Sequence, residues 1–485
     1  MPQTRADHRL APGTRFVIGI LLASAFVVIL NETTLTVALK RIMDDLGVSE
    51  RAAQWLTTAF MLTMAVVIPV TGWLLERLTT RRVYMIAMGL FVVGTVTVAV
   101  MPTFALVLVG RVVQASGTAV MMPLLMTTVM NVVPKERRGI MMGNISMVIA
   151  VAPALGPTLS GFVLQFASWR MIFVIILPLA IALGVLGSLR VQTLNEPRDI
   201  PVDARSVALS VVGFGGLVYS LSLFGEPTVP VLQLVGVLAV GAVALVLFLL
   251  RQGRLAHSGR ALLNLGTFRY PGFRVSVLVV AIAMAAMFGT LIMLPLILQD
   301  ALGMEPLLVG LMLLPGGLVM GLLGPTVGRL YDRVGPRPLV VPATALIGIV
   351  LATFSFISVG TSPWFIVACH MAMSVGFAFM FTPLLTTALG SLPRPLYPHG
   401  SAAVGTIQQL AGAMGTALFV TIYATQTRVG QVVGLPEAQA MLGGSRIAFL
   451  SAAAVCVLAF VGTWWLRRPS IEEHLDEDSP AAVVH

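Results

Sequence analysis

The feature that most constrains this chain is a stretch of about 20 apolar residues that recurs along its whole length. Each stretch is long enough to cross a hydrocarbon core of about 30 Å as a helix. Lipid offers backbone N–H and C=O groups no partners, so the stretches must be helical. The predicted helices 1 to 14 are residues 16–39, 54–75, 83–101, 104–130, 139–164, 169–189, 205–224, 229–250, 273–298, 306–330, 339–359, 364–389, 401–425 and 446–466.

The composition excludes soluble classes, since 57% of the residues are hydrophobic and only 10% are charged, against roughly a quarter charged in soluble proteins. Most of the 30 lysines and arginines fall in loops on one side, and only Arg111 lies inside a predicted helix. The positive-inside rule therefore predicts that both termini are cytoplasmic. Short, separated basic loops give no contiguous surface for nucleic acid, so no such partner is expected despite the net charge of +10.

Two smaller features also have simple interpretations. Cys369 and Cys456 lie inside predicted helices, where cysteine behaves as a small buried apolar residue, so no disulfide is predicted. The first apolar stretch is too long for a signal peptide and lacks a convincing cleavage site, so it is predicted to remain as helix 1.

A repeated loop motif divides the chain into two halves. GWLLERLTTRR (72–82) follows helix 2, and GRLYDRVGPR (328–337) follows helix 10. If these loops are equivalent, helices 1–6 and 9–14 form matching halves, and helices 7 and 8 are an inserted pair. The predicted domains are 1–195, a six-helix bundle; 196–262, linkers and the inserted pair; 263–468, the second bundle; and 469–485, an acidic cytoplasmic tail. Parallel halves of this kind are the architecture of the major facilitator fold, an all-α integral membrane fold.

The segments LNETTLTVAL, QWLTTAFMLT, GRVVQASGTAVMMPLLMTTVM and PALGPTLSG resemble the fourteen-helix drug:proton antiporters of the QacA/EmrB type, most closely the lincomycin-resistance branch. The resemblance covers helix 1 to helix 14. It implies export of small amphiphilic or apolar compounds from a bacterial cytoplasm by alternating access. The energy source would be the proton gradient, with no other cofactor.

The resemblance also implies that the two repeated loops latch one conformation of the transporter. A simpler alternative is that their charges only anchor the topology. The family usually has Asp at position 76 and Gly at position 79, so the first latch is expected to be looser than usual. The latch residues are Gly72, Glu76, Arg77, Arg81, Gly328, Asp332, Arg333 and Arg337.

Helix 5 contains APALGPTLSG (152–161), which resembles the family's antiporter motif. Its residues Gly156, Pro157 and Gly161 are expected to bend the helix and admit a close neighbour. Ser160 stands where the family usually has glycine. The motif favours export over import, although small residues and proline are common in transmembrane helices for packing alone.

Glu32 is the one acidic residue that is predicted deep in the membrane. A charge there costs a few kcal/mol, so such a residue is by default a functional candidate. Desolvation favours its protonated form and a nearby cation favours its anion, which together make a proton switch. Glu32 is therefore the predicted proton carrier.

Arg111 is the one intramembrane base and requires an anionic partner. At 1.5 Å per residue, Glu32 and Arg111 lie about 10 and about 12 Å below the outer ends of their helices, so their depths agree. The resemblance assigns Arg111, Gln114 and Gly117 to proton coupling. A static ion pair is the alternative. The family's usual helix 1 acid is replaced by Asn31 here, with the acid one place later.

Substrate contacts are predicted on helices that line the cavity in this superfamily, where flexible methionines and flat aromatic rings suit promiscuous apolar ligands. Ordinary packing is the alternative for each. The candidates are Asn31, Met121, Met122, Asn144, Phe288, Phe381 and Gln408.

The same sequence features bear on three other classes of function. The same fold could export an endogenous lipid or metabolite, or import with protons. A membrane enzyme would need a cluster of reactive side chains, whereas His370 is the one histidine in a predicted helix and has no acidic partner. No G-x-x-x-x-G-K-[ST] run is present, so no ATP-binding site is predicted. The chain is expected to act as a monomer.

Overall fold

The structure is a computed structural model that describes residues 12–193, 196–223, 229–466 and 468. In these residues, fourteen helices are long and apolar enough to cross a membrane, as predicted. The predicted acidic tail, 469–485, lies outside the described residues. The helices are α1 Pro12–Leu46, α2 Glu50–Val67 (continued by the turn Ile68–Val70 and by Thr71–Arg77), α3 Thr80–Val100, α4 Phe104–Val132, α5 Arg138–Phe166, α6 Arg170–Arg190, α7 Ala204–Ser222, α8 Val231–Ala256, α9 Pro271–Leu296, α10 Pro306–Val334, α11 Arg337–Phe354, α12 Pro363–Gly390, α13 Tyr397–Val432 and α14 Glu437–Thr463.

Helix α1 is longer than its apolar stretch and ends only before Gly47, whose φ is +62°. Its last turns are polar, because hydropathy marks the part of a helix in lipid and not where the helix stops. Asp45 in the last turn pairs with Arg170 and accepts a hydrogen bond from Trp169 Nε1 at 3.0 Å. These bonds, first that from Arg170, hold the pKa of Asp45 below its usual value. The contact ties the end of α1 to the start of α6.

Helix α7 packs against the side of α2 and α13, and α8 packs on α7. Glycines let the two helices touch closely: a Cβ on Gly216 would lie 3.0 Å from Gly241 Cα. The Tyr219 ring of α7 lies 5.6 Å from the Trp55 ring of α2. Most of α8 is exposed, because only 17% of the most apolar stretch of this helix is buried inside the protein. Helix α8 therefore faces lipid when the chain is in a membrane.

The two halves meet mainly where α5 runs against α10. A Cβ on Gly143 would lie 2.3 Å from the Gly324 carbonyl oxygen, so the two backbones touch directly. Nearer the opposite ends, a Cβ on Gly161 or on Gly310 would meet nothing within 4 Å. The two halves are therefore in direct backbone contact on the side of the repeated basic loops.

A buried polar network fixes the inserted pair at its loop end. Asp203 caps the start of α7 by accepting from Ser206 N at 3.1 Å, and it forms a two-bond pair with Arg251 of α8 at 2.6 and 2.8 Å. Gln252 bonds to Ser206 Oγ and accepts from Leu262 N, both at 2.8 Å. The hydrogen bonds from Arg251 are the largest cause holding the pKa of Asp203 well below its usual value.

We expect Asp203→Asn to lower the stability of the protein by about 1 kcal/mol or more at neutral pH, because it weakens a cap and an ion pair together. A depressed carboxyl pKa stabilises the fold above the unfolded-state pKa and loses that effect as pH falls through the folded-state pKa. The difference between parent and variant should thus be full at neutral pH and shrink only below about pH 4. Thermal unfolding in detergent across pH checks this; a difference that grew toward acid would contradict it.

Candidate functional site

Arg111 lies in the interior of the first half with 1% of its surface exposed. Its Nη1 donates to Gln114 Oε1 at 2.6 Å and to Asn31 Oδ1 at 3.4 Å, and its Nε donates to the Leu56 carbonyl oxygen at 3.4 Å. The guanidinium also lies 4.1 Å from the centre of the Phe60 ring. All of these partners are neutral, so the buried positive charge is solvated by dipoles and an aromatic face.

Glu32 is half-buried beside this cage and lies within electrostatic reach of Arg111. The sequence predicted a carboxylate partner for Arg111, but no ion pair between these two described residues falls within 4.0 Å. The reason is angular, because successive residues of a helix differ by about 100°. Asn31 faces Arg111, and Glu32 is turned aside.

Asn31 was predicted to contact substrate, but its amide is fully buried and serves as an acceptor for Arg111. Its Nδ2 has no hydrogen-bond partner among the described residues. In this conformation Asn31 therefore belongs to the Arg111 cage.

Gln114 and Gly117 fix the cage against α3. Gln114 Nε2 donates to Thr95 Oγ1 at 2.8 Å, which leaves its Oε1 for Arg111. A Cβ on Gly117 would lie 2.3 Å from the Ala87 carbonyl oxygen, so only glycine allows this approach of α3 and α4. The two motif residues thus hold Arg111 at a fixed position.

The antiporter motif of α5 packs directly on the turn of α1 that carries Glu32. A Cβ on Gly156 would lie 2.0 Å from Thr33 Oγ1 and 3.2 Å from the Leu30 carbonyl oxygen. Pro157 next to it is exposed, and Gly161 meets no neighbour. Of the three predicted motif residues, Gly156 is the one at which another helix approaches closely.

We expect Gly156→Val to slow transport at least about tenfold, since overpacking of this kind costs about 1–3 kcal/mol and displaces the Glu32 turn. Gly161→Val in the same motif is the matched control, because its side chain enters open space. Initial transport rates and thermal stability of the two variants check this. Equal rates would show that the close approach is unimportant.

The second repeated loop caps a helix of the other half. Asp332, at the end of α10, accepts from the backbone N–H groups of Gly139 and Ile140 at 2.9 and 3.1 Å. These are orphan donors of the first turn of α5, where an anion is also favoured by the helix dipole. A Cβ on Gly139 would lie 2.5 Å from the Gly328 carbonyl oxygen, so the glycine is required for this contact.

The first repeated loop contacts a side chain at the start of α13. Glu76 Oε2 lies 3.2 Å from His399 Nε2, and a Cβ on Gly72 would lie 2.7 Å from His399 Nδ1. Arg77 reaches back to the linker between α6 and α7, where it bonds to the Ile200 carbonyl and lies 3.7 Å from Asp199.

The remaining arginines of the repeated loops lie at the surface. Arg81 and Arg333 are exposed. Arg337 bonds to the Trp464 carbonyl oxygen after α14. Thr79, where the family usually has glycine, caps α3 by accepting from Arg82 N at 3.3 Å.

Sequence analysis missed a third contact between the halves, because Arg138 was assigned to a solvated loop. Arg138 is buried and donates to the Met130 and Val133 carbonyl oxygens and to Tyr397 Oη, the last at 3.1 Å. Its guanidinium lies 5.5 Å from the Tyr397 ring centre. The sequence holds little signal for this pair, since PKERRG (134–139) and PRPLYP (393–398) share only a first proline followed by a basic residue.

The other substrate candidates divide by exposure. Met121 and Phe381 are packed in the core, Phe381 against the Phe377 ring at 5.7 Å. Partly accessible side chains are found at Met122, Asn144, Phe288 and Gln408. These four remain the accessible candidates in this conformation.

Comparison with known proteins places these features in one family. The family model described as Major Facilitator Superfamily matches residues 21–416. The chain is 36% identical over 465 residues to the lincomycin resistance protein LmrB of Bacillus subtilis (strain 168), covering 93% of this chain and 95% of that protein. It is 39% identical over 453 residues to the uncharacterized MFS-type transporter YcnB of the same organism, with the same coverage. These matches confirm the resemblance derived from the motifs.

Solved structures support the fold. The human organic anion transporter MFSD10 aligns with a TM-score of 0.66 at 16% identity, covering 93% of this chain and 100% of that one. The proton:xylose symporter XylE aligns with a TM-score of 0.62 at 13% identity, covering 94% and 96%. At these identities the likeness establishes the architecture alone.

Proposed function

This chain belongs to the major facilitator superfamily of membrane transporters, and we propose that it is a proton-coupled antiporter that exports small amphiphilic or apolar compounds by alternating access. The observation that supports this most is the isolated charge at the centre of the first half: Glu32 beside Arg111, which is 1% exposed and bound only by neutral groups. A relative that covers nearly the whole chain is named for lincomycin resistance, which supports drug-like substrates.

We propose the following transport cycle. With the loop side closed by Asp332 on α5 and by Glu76 near His399, Glu32 takes a proton from the opposite side. When the halves rock and the loop side opens, Glu32 releases that proton as substrate enters. Arg111 stabilises the carboxylate that results. Gly156 transmits movement of α5 to the Glu32 turn because the two helices touch there.

We propose the cytoplasmic membrane of a bacterium as the location, with both termini and the linker after α8 in the cytoplasm. The arginines of that linker would violate the charge asymmetry if they were outside. A single cysteine at position 260, in a chain without Cys369 and Cys456, should resist an impermeant reagent that is added to intact cells. Labelling from outside would require the topology to be redrawn.

Transport itself is tested with everted vesicles energised by a pH gradient and screened against lincosamides, dyes and quaternary ammonium compounds. We expect gradient-dependent uptake of at least one of these compounds, and collapse of the uptake by a protonophore. Uptake that persisted without a gradient would contradict proton coupling. Absence of uptake across the panel, with uptake of a lipid or metabolite instead, would replace the substrate class.

A further inference from the structure

The helix starts at the closed side of the two halves are built from equivalent segments. Pro134 and Pro393 each precede a short 3-10 turn, Lys135–Arg137 and Arg394–Leu396, and each turn leads directly into a long helix. In this alignment Gly139 of α5 corresponds to Pro398 of α13. The next residues, Ile140 and His399, also correspond.

The correspondence explains why the two repeated loops bind differently. Asp332 uses the N–H groups of Gly139 and Ile140, but Pro398 has no N–H to offer. The carboxylate of the first half therefore contacts the His399 side chain instead. Glutamate at position 76, where the family usually has aspartate, supplies one more methylene for this reach.

His399 is enclosed, with 3% of its surface exposed, and its Nδ1 has no hydrogen-bond partner among the described residues. A Cβ added at Gly72 would lie 2.7 Å from His399 Nδ1, 3.1 Å from the Leu262 carbonyl oxygen and 3.3 Å from His399 Cα. His399 Nδ1 and the Leu262 carbonyl oxygen therefore both border a space that only glycine leaves open.

The charged groups around this pair come from three elements. Glu76 lies at the end of α2, Glu196 and Arg198 lie on the linker between α6 and α7, and Arg394 precedes α13; together they line a crevice of about 310 Å³. Glu76 is the one of these within 4.0 Å of the imidazole in the described residues.

We propose that His399 is a second proton-binding residue of this transporter, which holds the loop side closed when protonated by pairing with Glu76. Imidazole is the side chain that changes charge near neutral pH. A proton on His399 turns the 3.2 Å contact with Glu76 into an ion pair, whereas the Asp332 cap on backbone N–H groups needs no such proton.

The direction of the effect follows from the charges. When the pH on the loop side is high, His399 is neutral and its contact with Glu76 is weaker. The transporter then opens more readily toward the loop side. If the loop side is cytoplasmic, a high cytoplasmic pH would promote binding of substrate from the cytoplasm. A high cytoplasmic pH accompanies a large proton gradient. The inference rests on alternating access in the proposed function, yet it can be measured without any transported substrate.

The experiment measures the distance between spin labels on the full chain in nanodiscs of phosphatidylethanolamine and phosphatidylglycerol. Cys369 and Cys456 are replaced by alanine, and labels are attached to cysteines at the exposed positions 82 and 269, one in each half. Glu32→Gln is present throughout, so that the proposed carrier cannot produce the response. We expect the long-distance population to rise about fivefold between pH about 5 and about 8, the range in which histidine side chains ordinarily change charge.

Two variants decide the source of the response. His399→Gln retains an N–H group near Glu76 but does not titrate, so its distances should not depend on pH. Glu76→Gln removes the partner charge and should also abolish the response, which keeps the test valid if one variant fails to fold. Distances without pH dependence in the Glu32→Gln parent, or an unchanged response after either substitution, would overturn the proposal. Failure of the transport assay alone would count against the proposed function, but it would not affect the conclusion that His399 and Glu76 produce the pH-dependent distance change.

Discussion

Glu32→Gln is expected to abolish gradient-driven transport, with a loss of at least about 100-fold, equivalent to about 2.7 kcal/mol. A proton that moves with the membrane potential gains about 2.3 kcal/mol per 100 mV, and a buried group must bind and release it. Glutamine has nearly the same shape and hydrogen-bonds as the protonated acid does, but it cannot release a proton. The variant should therefore fold and still bind neutral substrates.

Substrate-induced proton release from purified protein in weakly buffered detergent is the deciding measurement. Glu305→Gln, at an exposed position before α10, is the matched control and should release protons as the parent does. If Glu32→Gln also released them normally, Glu32 would have only a structural role. Asp300→Asn would then be the next variant to examine, because Asp300 lies in the turn Ile297–Ala301 that directly follows α9.

Arg111→Ala is expected to stop the coupling of proton movement to transport as completely as Glu32→Gln does, but for a different physical reason. Removing the guanidinium takes away the positive charge that favours the carboxylate form of Glu32 and leaves the acceptors of Gln114 and Asn31 without their donor. Unsatisfied buried polar groups cost about 1–3 kcal/mol each, so the variant should also be less stable. Glu32 then retains its proton, and no proton is released on binding of substrate.

Arg111→Lys separates charge from geometry. Lysine keeps the positive charge, but a single ammonium cannot reproduce the planar fork of contacts to α1, α2 and Gln114. We expect a stable protein with coupling reduced at least about tenfold, or about 1.4 kcal/mol. If Arg111→Ala released protons with the parent stoichiometry, Arg111 would have no part in coupling.

The proposed residue roles differ in how far the sequence could predict them. Glu32 and Arg111 were found by counting charges in apolar stretches, and their similar depths followed from the helical rise. The contact between Arg111 and Asn31 agrees with those depths. The repeated loop motif identified both latch carboxylates, but not their partners at Gly139 and His399, which lie far away in the chain.

The sequence by itself determined the number of helices, because backbone groups in lipid must bond within their own segment, so every span is a local property of about 20 residues. It also determined the two-half organisation, through repeated motifs. Only the tertiary structure decided which side chains meet. Depth is set by position along a helix, but the direction of a side chain changes by about 100° at each residue and acquires a partner only when a second helix is packed beside it. Asn31 therefore faces Arg111 while Glu32 does not, and Pro398 decides that Glu76 meets an imidazole instead of a helix N-terminus.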